Sequence, residues 1–215
     1  MNSADFDFPL RILTPRSWAT SVLAEPMALL NDHFHLEKKA ATSALDMMGR
    51  WQGEIVPIRW FNLMSTIAKD ETDHMKLIAK LIAKRIGTCS KNHANPYASA
   101  LRGLVRKGTS QQELMDRLLV SALIELRSCE RFRLLADASQ DEELRKLYLG
   151  LWASERGHYL QFFDAATWVM PSSVVDSRWP VMLDEEAVII QAQSSGPRIH
   201  SWNLEIDTRN HTGFE

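Results

Sequence analysis

The stretch IAKDETDHMKLIAKLIA (residues 67–83) places Glu71 and His74 three residues apart within a strongly apolar segment. Residues at this spacing project from the same side of a helix, so a carboxylate and an imidazole can reach one point. The apolar side chains that share this predicted face are Met64, Ile67, Ile78 and Leu81. A Glu-x-x-His pair on a face that points into a core predicts a buried pair of metal ligands.

A second Glu-x-x-His pair, Glu155 and His158, lies in another apolar segment. A lone glutamate precedes each pair: Glu37 precedes the first and Glu125 the second. The order Glu, Glu-x-x-His, Glu, Glu-x-x-His is the ligand pattern of ferritin-like di-iron and di-manganese helical bundles. By analogy with that architecture, Glu71 and Glu155 bridge two metal ions, while each remaining ligand binds one. The predicted metal ligands are Glu37, Glu71, His74, Glu125, Glu155 and His158.

Four carboxylates in an apolar core need positive partners, because an unpaired buried ion costs several kcal/mol. Two divalent metal ions would balance the four charges and leave the imidazoles neutral. The alternative is a set of ordinary buried salt bridges to Arg127, Arg131 or lysines, which explains neither the histidines nor the repeated spacing. Carboxylate and imidazole ligands suit iron and manganese better than structural zinc, and we expect iron.

Composition narrows the class of protein further. The chain has 215 residues, 45% of them hydrophobic, which is enough for a single domain with one core. A formal charge of -2 excludes a global basic field, so any contact with nucleic acid needs a local basic patch. Cys89 and Cys129 form no Cys-x-x-Cys motif, which fits a reducing cytoplasm and argues against a built-in iron–sulfur module. The sequence shows neither a membrane-spanning run nor a basic signal-peptide start, so we expect a cytoplasmic protein.

Helix signals predict an all-α, ferritin-like four-helix bundle with additional short and peripheral helices. Two helical hairpins are joined by one long crossover, residues 88–109, which is rich in Asn, Ser, Gly and Pro. Ser110 with Glu113, and Ser139 with Glu142, form predicted capping boxes that begin the third and fourth long helices. The expected parts of the single domain are an arm (1–15), the bundle (16–171), a peripheral helix (172–192) and a tail (193–215).

Five segments carry a resemblance to a known family: NDHFHLEKKAATSAL (31–45), NPYASALRGLVRKG (95–108), LLVSALIELRSCERF (118–132), SERGH (154–158) and RIHSW (198–202). Together they resemble the bacterial tRNA hydroxylases that oxidise 2-methylthio-N6-isopentenyladenosine, and the resemblance covers most of the chain. It implies the same six ligands, two iron ions and dioxygen as co-substrate. It also implies hydroxylation of the isopentenyl group at tRNA position 37, next to the anticodon, with electrons from an external electron-transfer protein.

A tRNA substrate needs cationic contacts to its phosphates, although exposed cations can equally form an ordinary solvated face. The candidates are Lys38, Lys39, Arg102, Arg106, Lys107 and Arg131. Two other functions are consistent with the ligand pattern. One is a rubrerythrin-like or manganese-catalase-like enzyme that oxidises peroxide or ferrous ion. The other is a non-catalytic helical RNA-binding protein with a structural metal or a salt-bridge network.

A few further side chains flank the predicted ligands. His33 shares the face of Glu37, and we interpret it as a capped or core-edge histidine rather than a ligand. Trp152 and Phe162 flank the second pair and are predicted to line a pocket for an isoprenoid tail. Asp70 and Asp73 are candidate acceptors for the N–H groups of the ligand histidines.

Overall fold

The computed structural model describes residues 7–108 and 110–202, without the side chain of Ser110. Within these residues the regular secondary structure is entirely helical, which confirms the predicted all-α class. The helices are α1 (Arg16–Leu23), α2 (Pro26–Met48), α3 (Ile58–Lys84), α4 (Pro96–Arg102), α5 (Ser110–Ala138), α6 (Glu142–Val169) and α7 (Ser172–Gln191). The predicted Ser110 cap and most of the expected tail lie outside the described residues. None of the described helices is long and apolar enough to span a bilayer.

Two helical hairpins form the bundle. Helix α2 packs along α3, and α5 packs along α6, which are the two most extensive helix contacts. Because a short connection joins the helices within each hairpin, the partners run antiparallel. Helix α4 lies within the long crossover between the hairpins and packs on α5 and α7. This is the predicted one-crossover connection.

The first hairpin is fixed by Trp60 at the start of α3. Its side chain is fully buried, and its indole Nε1 donates to the carbonyl oxygens of Met47 and Met48, both at 3.2 Å. These carbonyls belong to the last turn of α2, where no further helical N–H is available. Trp60 therefore completes the C-terminus of α2 while anchoring the N-terminus of α3.

Two apolar clusters fill the bundle, one toward each end. On α3, Met64, Ile67 and Ala68 belong to the first cluster, whereas Ile78 and Ile82 belong to the second. The other three long helices are divided in the same way between the clusters. The predicted ligands fall at the boundary, so they lie midway along the bundle, surrounded by apolar side chains.

The end of α3 differs in detail from the sequence expectation, which placed the stop at Gly87. The left-handed residue is Ile86, with φ of 58°, and the N–H of Gly87 donates to the carbonyl of Ile82 at 3.0 Å. A Cβ at position 87 would overlap the side chain of Met27. A larger residue at position 87 would therefore displace the end of the Met27 side chain of α2, and the φ of Gly87 itself does not demand glycine.

Asp141, and not the predicted Ser139, caps the N-terminus of α6. Its Oδ1 accepts hydrogen bonds from the N–H groups of Glu143 at 2.9 Å and Leu144 at 3.2 Å. The hydroxyl of Ser139 instead contacts the backbone N–H and carbonyl of Asp141. The predicted capping box at this position was therefore wrong by two residues, because serine and aspartate are both good caps and only the backbone conformation selects between them.

We expect Asp141→Ala to lower the free energy of unfolding by about 1 kcal/mol, and Ser139→Ala to lower it less. Burial would raise the pKa of Asp141, but the N–H of Leu144 and the guanidinium of Arg85 hold that pKa below its usual value. The stabilisation is thus present at neutral pH and is lost as the pH falls from the ordinary aspartate value, about 4, through the lower folded-state pKa. Urea unfolding of both variants at pH 7 and pH 3 measures this. A larger loss for Ser139→Ala would contradict the assignment.

Candidate metal centre

The six predicted ligands converge at the centre of the bundle. Glu37 comes from α2, Glu71 and His74 from α3, Glu125 from α5, and the last pair from α6. The four carboxylates and His158 are at most 6% exposed, and the side chain of His74 is 15% exposed. We call these six residues the carboxylate–histidine cluster: Glu37, Glu71, His74, Glu125, Glu155 and His158.

The cluster divides into two groups of potential ligand atoms, and within each group these atoms lie within 4.8 Å of one another. The first group is Glu37, Glu71, His74 and Glu155, and the second is Glu71, Glu125, Glu155 and His158. Glu71 and Glu155 belong to both groups, whereas each other residue belongs to one. A pair of bridging carboxylates would have to be shared in this way by two neighbouring sites.

The distances show how the shared carboxylates are oriented. His74 Nδ1 lies 3.5 Å from Glu71 Oε2 and 3.2 Å from Glu155 Oε1. His158 Nδ1 lies 2.7 Å from Glu71 Oε1 and 3.0 Å from Glu155 Oε2. Each shared carboxylate therefore directs one oxygen toward each histidine, which is the orientation needed to bridge two ions.

Several of these atoms have no hydrogen bond despite their close approach. Both carboxylate oxygens of Glu71, Oε1 of Glu155 and Nδ1 of His74 are buried without a hydrogen-bond partner among the described residues. Buried polar atoms are rarely left this way in a native protein. Short contacts without hydrogen-bonding geometry are what ligand atoms show when they point at a common centre, so the cluster fits a pair of metal ions.

The pKa values in the cluster have a clear electrostatic cause. Burial, reinforced by the neighbouring carboxylates, raises the pKa of Glu37 and Glu125 well above the usual value. Burial alone would lower the pKa of His158, but its hydrogen bond to Glu155 and the close carboxylate of Glu71 raise it to about 10. Without metal, the negative charge of the cluster is thus balanced by bound protons. Metal ions bind carboxylates and neutral imidazoles, so binding displaces these protons.

A pocket leads from the surface to the cluster. It has a volume of about 750 Å³ including its open mouth. Glu37, Glu125 and Glu155 line its buried end, whereas Lys39 and Arg102 are exposed. Its apolar lining comes from Leu36, Ala40, Ala98, Ile124, Phe132 and Phe162. A molecule with an apolar arm and an anionic body would fit this arrangement.

The sequence matches a known protein family over most of its length. Residues 4–201 match the model of a family described as "tRNA-(MS[2]IO[6]A)-hydroxylase (MiaE)". The chain belongs to this family. The match confirms the resemblance seen in the sequence.

Two curated members of the family are clearly similar to the chain. The tRNA 2-(methylsulfanyl)-N(6)-isopentenyladenosine(37) hydroxylase of Pseudomonas putida is 35% identical over 188 residues, which are 87% of this chain and 89% of that protein. The hydroxylase of the same name from Salmonella typhimurium is 29% identical over 169 residues, which are 79% of this chain and 58% of that protein.

A solved structure gives an independent comparison of the fold. "Protein 43 with aldehyde deformylating oxygenase activity from Synechococcus" superimposes with a TM-score of 0.83 at 32% identity, covering 94% of this chain and all of that one. This ferritin-like neighbour confirms the predicted fold class for a MiaE-family chain.

Residues beside the cluster have roles that the sequence only partly indicated. His33, interpreted as a core-edge histidine, is fully buried, and its Nε2 lies 2.5 Å from Glu37 Oε1. Its ring stacks on Tyr148 at 5.7 Å, which fixes the imidazole. His33 therefore holds the oxygen of Glu37 that faces away from the other ligands. Asp70 Oδ2 lies 3.6 Å from His158 Nε2, on the side expected for a supporting carboxylate.

The two aromatic residues predicted to line the pocket, Trp152 and Phe162, differ in where their side chains lie. Phe162 lines the pocket, but Trp152 does not. The carbonyl of Trp152 instead accepts a contact from the buried thiol of Cys129 at 3.5 Å. The prediction for Trp152 was wrong because the side chains of one helix point in different directions. The packing of α5 on α6 decides which of them reaches the pocket.

The predicted phosphate contacts also separate into exposed and buried residues. The exposed ones are Lys38, Lys39, Arg102, Arg106 and Lys107. Arg131 is fully buried, with its guanidinium 4.0 Å from the ring centre of Trp18 and a hydrogen bond to the carbonyl of Ser201 at 2.9 Å. Burial lowers the pKa of Arg131 to about 9. Its geometry does not support the expected tRNA contact.

The arginines considered as alternative partners for the buried acids pair elsewhere. Arg127 forms ion pairs with Glu186 of α7 and Glu130 of α5, both at 2.8 Å. Arg131 lies 3.7 Å from Glu130. None of these three ion pairs includes a carboxylate of the cluster, so the negative charge of the cluster is left to be balanced by protons or metal ions.

Proposed function

We propose that this protein is a di-iron tRNA hydroxylase that inserts one oxygen atom into the isopentenyl group of 2-(methylsulfanyl)-N6-isopentenyladenosine at tRNA position 37. The observation that carries the proposal is the carboxylate–histidine cluster at the buried end of an open pocket in a MiaE-family chain. Because its substrate is tRNA and its cysteines form no motif, we place the enzyme in the cytoplasm.

The six residues of the cluster are the proposed ligands of two iron ions. Glu71 and Glu155 belong to both groups of ligand atoms and would be shared by the two ions, Glu37 and His74 would complete one site, and Glu125 and His158 would complete the other. The bound ions supply the reactivity toward dioxygen, with electrons from an external electron-transfer protein. The protein itself orients the ligands and shields them. His33 orients Glu37, and the surrounding apolar clusters keep the ligands out of bulk water.

The pocket walls position the substrate. Leu36, Ile124 and Phe162 offer apolar contacts to the isopentenyl group close to the cluster. Excluding water from this end favours reaction at the bound carbon over side reactions. The open mouth leaves the ribose and the neighbouring nucleotides outside, as a nucleoside within a large RNA requires.

Lys39 and Arg102 form the proposed phosphate contacts at the mouth. Lys39 Nζ donates to His93 Nδ1 at 2.8 Å, and His93 Nε2 donates to Asp32 Oδ1 at 2.7 Å. This chain of contacts holds the ammonium group beside the pocket instead of leaving it free in solvent. A cationic rim suits a polyanion and offers nothing to a simple alkyl aldehyde.

Charge reversal at the rim, Lys39→Glu with Arg102→Glu, should weaken tRNA binding by at least about tenfold. Losing two phosphate contacts should also reduce the slope of log affinity against log salt by about 2. Fluorescence anisotropy of a labelled anticodon stem-loop across a KCl series measures both quantities. Lys80→Glu, an exposed lysine of α3 outside the pocket, is the matched control. An affinity and slope equal to those of the wild type would remove these residues from the interface.

The decisive experiment is nucleoside mass spectrometry on isopentenylated tRNA treated with the iron-loaded protein, a reductant and dioxygen. We expect a gain of one oxygen on the modified adenosine, absent for Glu71→Ala. Parallel reactions with a long-chain aldehyde, hydrogen peroxide and ferrous ion test the activity named for the Synechococcus protein and the peroxide or ferroxidase alternatives. Turnover of one of these without oxygen gain on tRNA, from protein holding two irons, would overturn the proposal.

A further inference from the structure

Residues 198–202 fold back against the bundle, and His200 in this segment lines the pocket. The expected tail is therefore packed into the protein here: Ile199, His200, Ser201 and Trp202 are all at most 5% exposed. The N–H of Ile199 donates to Asp32 Oδ2 at 2.8 Å. On the other side of His200, Trp18 Nε1 donates to the hydroxyl of Ser201 at 3.0 Å. These contacts fix the backbone on both sides of His200.

The imidazole of His200 is held in place but is not fully bonded. It stacks on Tyr97 at 4.4 Å between ring centres, and its Nε2 lies 3.3 Å from Ser128 Oγ. Its Nδ1 is buried without a hydrogen-bond partner among the described residues. Burial, with the nearby charges of Arg131 and Arg127, holds the pKa of His200 well below the usual range. The ring is therefore neutral, with one nitrogen engaged and one unmatched.

The position of His200 in the pocket indicates which kind of group could hydrogen-bond to its unpaired nitrogen. The buried end of the pocket is formed by carboxylates and apolar side chains, and the mouth carries cations. The uncharged polar groups of the pocket that are not exposed are supplied by Asn95, Ser121, Ser128 and His200, together with His33, which is engaged by Glu37. A nucleobase whose alkyl arm reaches the cluster would place its hydrogen-bonding edge among them.

We propose that His200 is a specificity-determining residue that accepts a hydrogen bond through Nδ1 from the N6–H group of the modified adenine. This inference rests on the proposed function. When Nε2–H is donated to Ser128 Oγ, Nδ1 carries the lone pair. The N6–H group is the donor next to the isopentenyl arm, and an unmatched buried acceptor favours the substrate that supplies this donor.

Two amide substitutions of His200 distinguish a hydrogen bond to the substrate from a purely structural role. Asn at position 200 places its amide near the position of Nδ1, whereas Gln reaches the position of Nε2 and keeps only the Ser128 contact. With an anticodon stem-loop carrying the modified adenosine, we expect His200→Gln to raise KM by about tenfold with little change in kcat. We expect His200→Asn to stay much closer to the wild type. Iron content and circular dichroism are measured for each protein.

A substrate analogue tests the same contact in the wild-type protein, without relying on the folding of a variant. An N6-methyl-N6-isopentenyl adenosine stem-loop lacks the N6–H group, and the wild type should discriminate against it by about tenfold in kcat/KM. His200→Gln should lose most of this discrimination.

Two results would overturn the inference while leaving the proposed function intact. One is equal KM values for the Asn and Gln variants, and the other is equal discrimination against the analogue by the wild type and His200→Gln. Either would give His200 a purely structural role. If the iron-loaded wild type fails to hydroxylate the natural stem-loop, the proposed function itself fails, and the inference fails with it.

Discussion

Replacing Glu125 with glutamine should abolish hydroxylation while leaving the metal-free protein as stable as the wild type. Glu125 is buried, and its pKa is raised well above the usual value by burial and by the charges of Glu155 and Glu71. Without metal it therefore carries a proton, and glutamine has nearly the same shape and charge as a protonated glutamate. The amide is a poor ligand for iron, so the variant should lose metal binding while it keeps its fold.

The expected loss of activity is at least about a hundredfold, since removing even an outer partner of a metal ligand costs tenfold to a hundredfold. Iron per chain is measured directly. Adding ferrous ion anaerobically should raise the Tm of the wild type, by linkage of binding to folding, and raise that of the variant less. Glu54→Gln, an exposed glutamate, is the matched control. Full iron content and activity in Glu125→Gln would remove this residue from the proposed ligands.

The convergence of the six side chains was predictable from sequence because each Glu-x-x-His pair obeys the local geometry of one helix. The spacing of Glu71 and His74 requires no knowledge of the fold, only that both face the core. The repeat of Glu155 and His158 then predicts the two-hairpin bundle. The structure brings these side chains together as expected from that reasoning.

The pocket was less predictable because its residues are brought together only by contacts between segments that lie far apart in the sequence. His200 reaches the wall because Ile199 is bonded to Asp32, and no periodicity links residues so far apart. The sequence therefore predicted only a tail there. Arg131 was a candidate contact for tRNA phosphate, and such a contact needs an accessible guanidinium. Its burial depends on Trp18 and Ser201, which belong to segments at opposite ends of the described chain.

Arg127→Met should be the most destabilising single substitution outside the cluster. Its guanidinium is fully buried, and two of its nitrogens donate to the two oxygens of Glu186, each at 2.8 Å. Arg127 also donates to Glu130 at 2.8 Å and to the carbonyl of Ile12 at 3.0 Å. It thus joins α5, α7 and the N-terminal arm. Removing it leaves the carboxylate of Glu186 buried without its counter-charge.

Breaking such a pair from one side costs about 3–5 kcal/mol, which corresponds to a fall in Tm of roughly ten degrees for a chain of this size. The double variant Arg127→Met with Glu186→Leu should recover much of the loss, because a buried pair replaced by apolar groups is often nearly neutral. Tyr97, which donates to Glu186 at 2.9 Å, loses its acceptor in the double variant, so recovery should be incomplete. Urea unfolding of the wild type, both single variants and the double variant gives the coupling energy. If the two single losses simply add, the guanidinium stabilises the fold through packing and not through its charge.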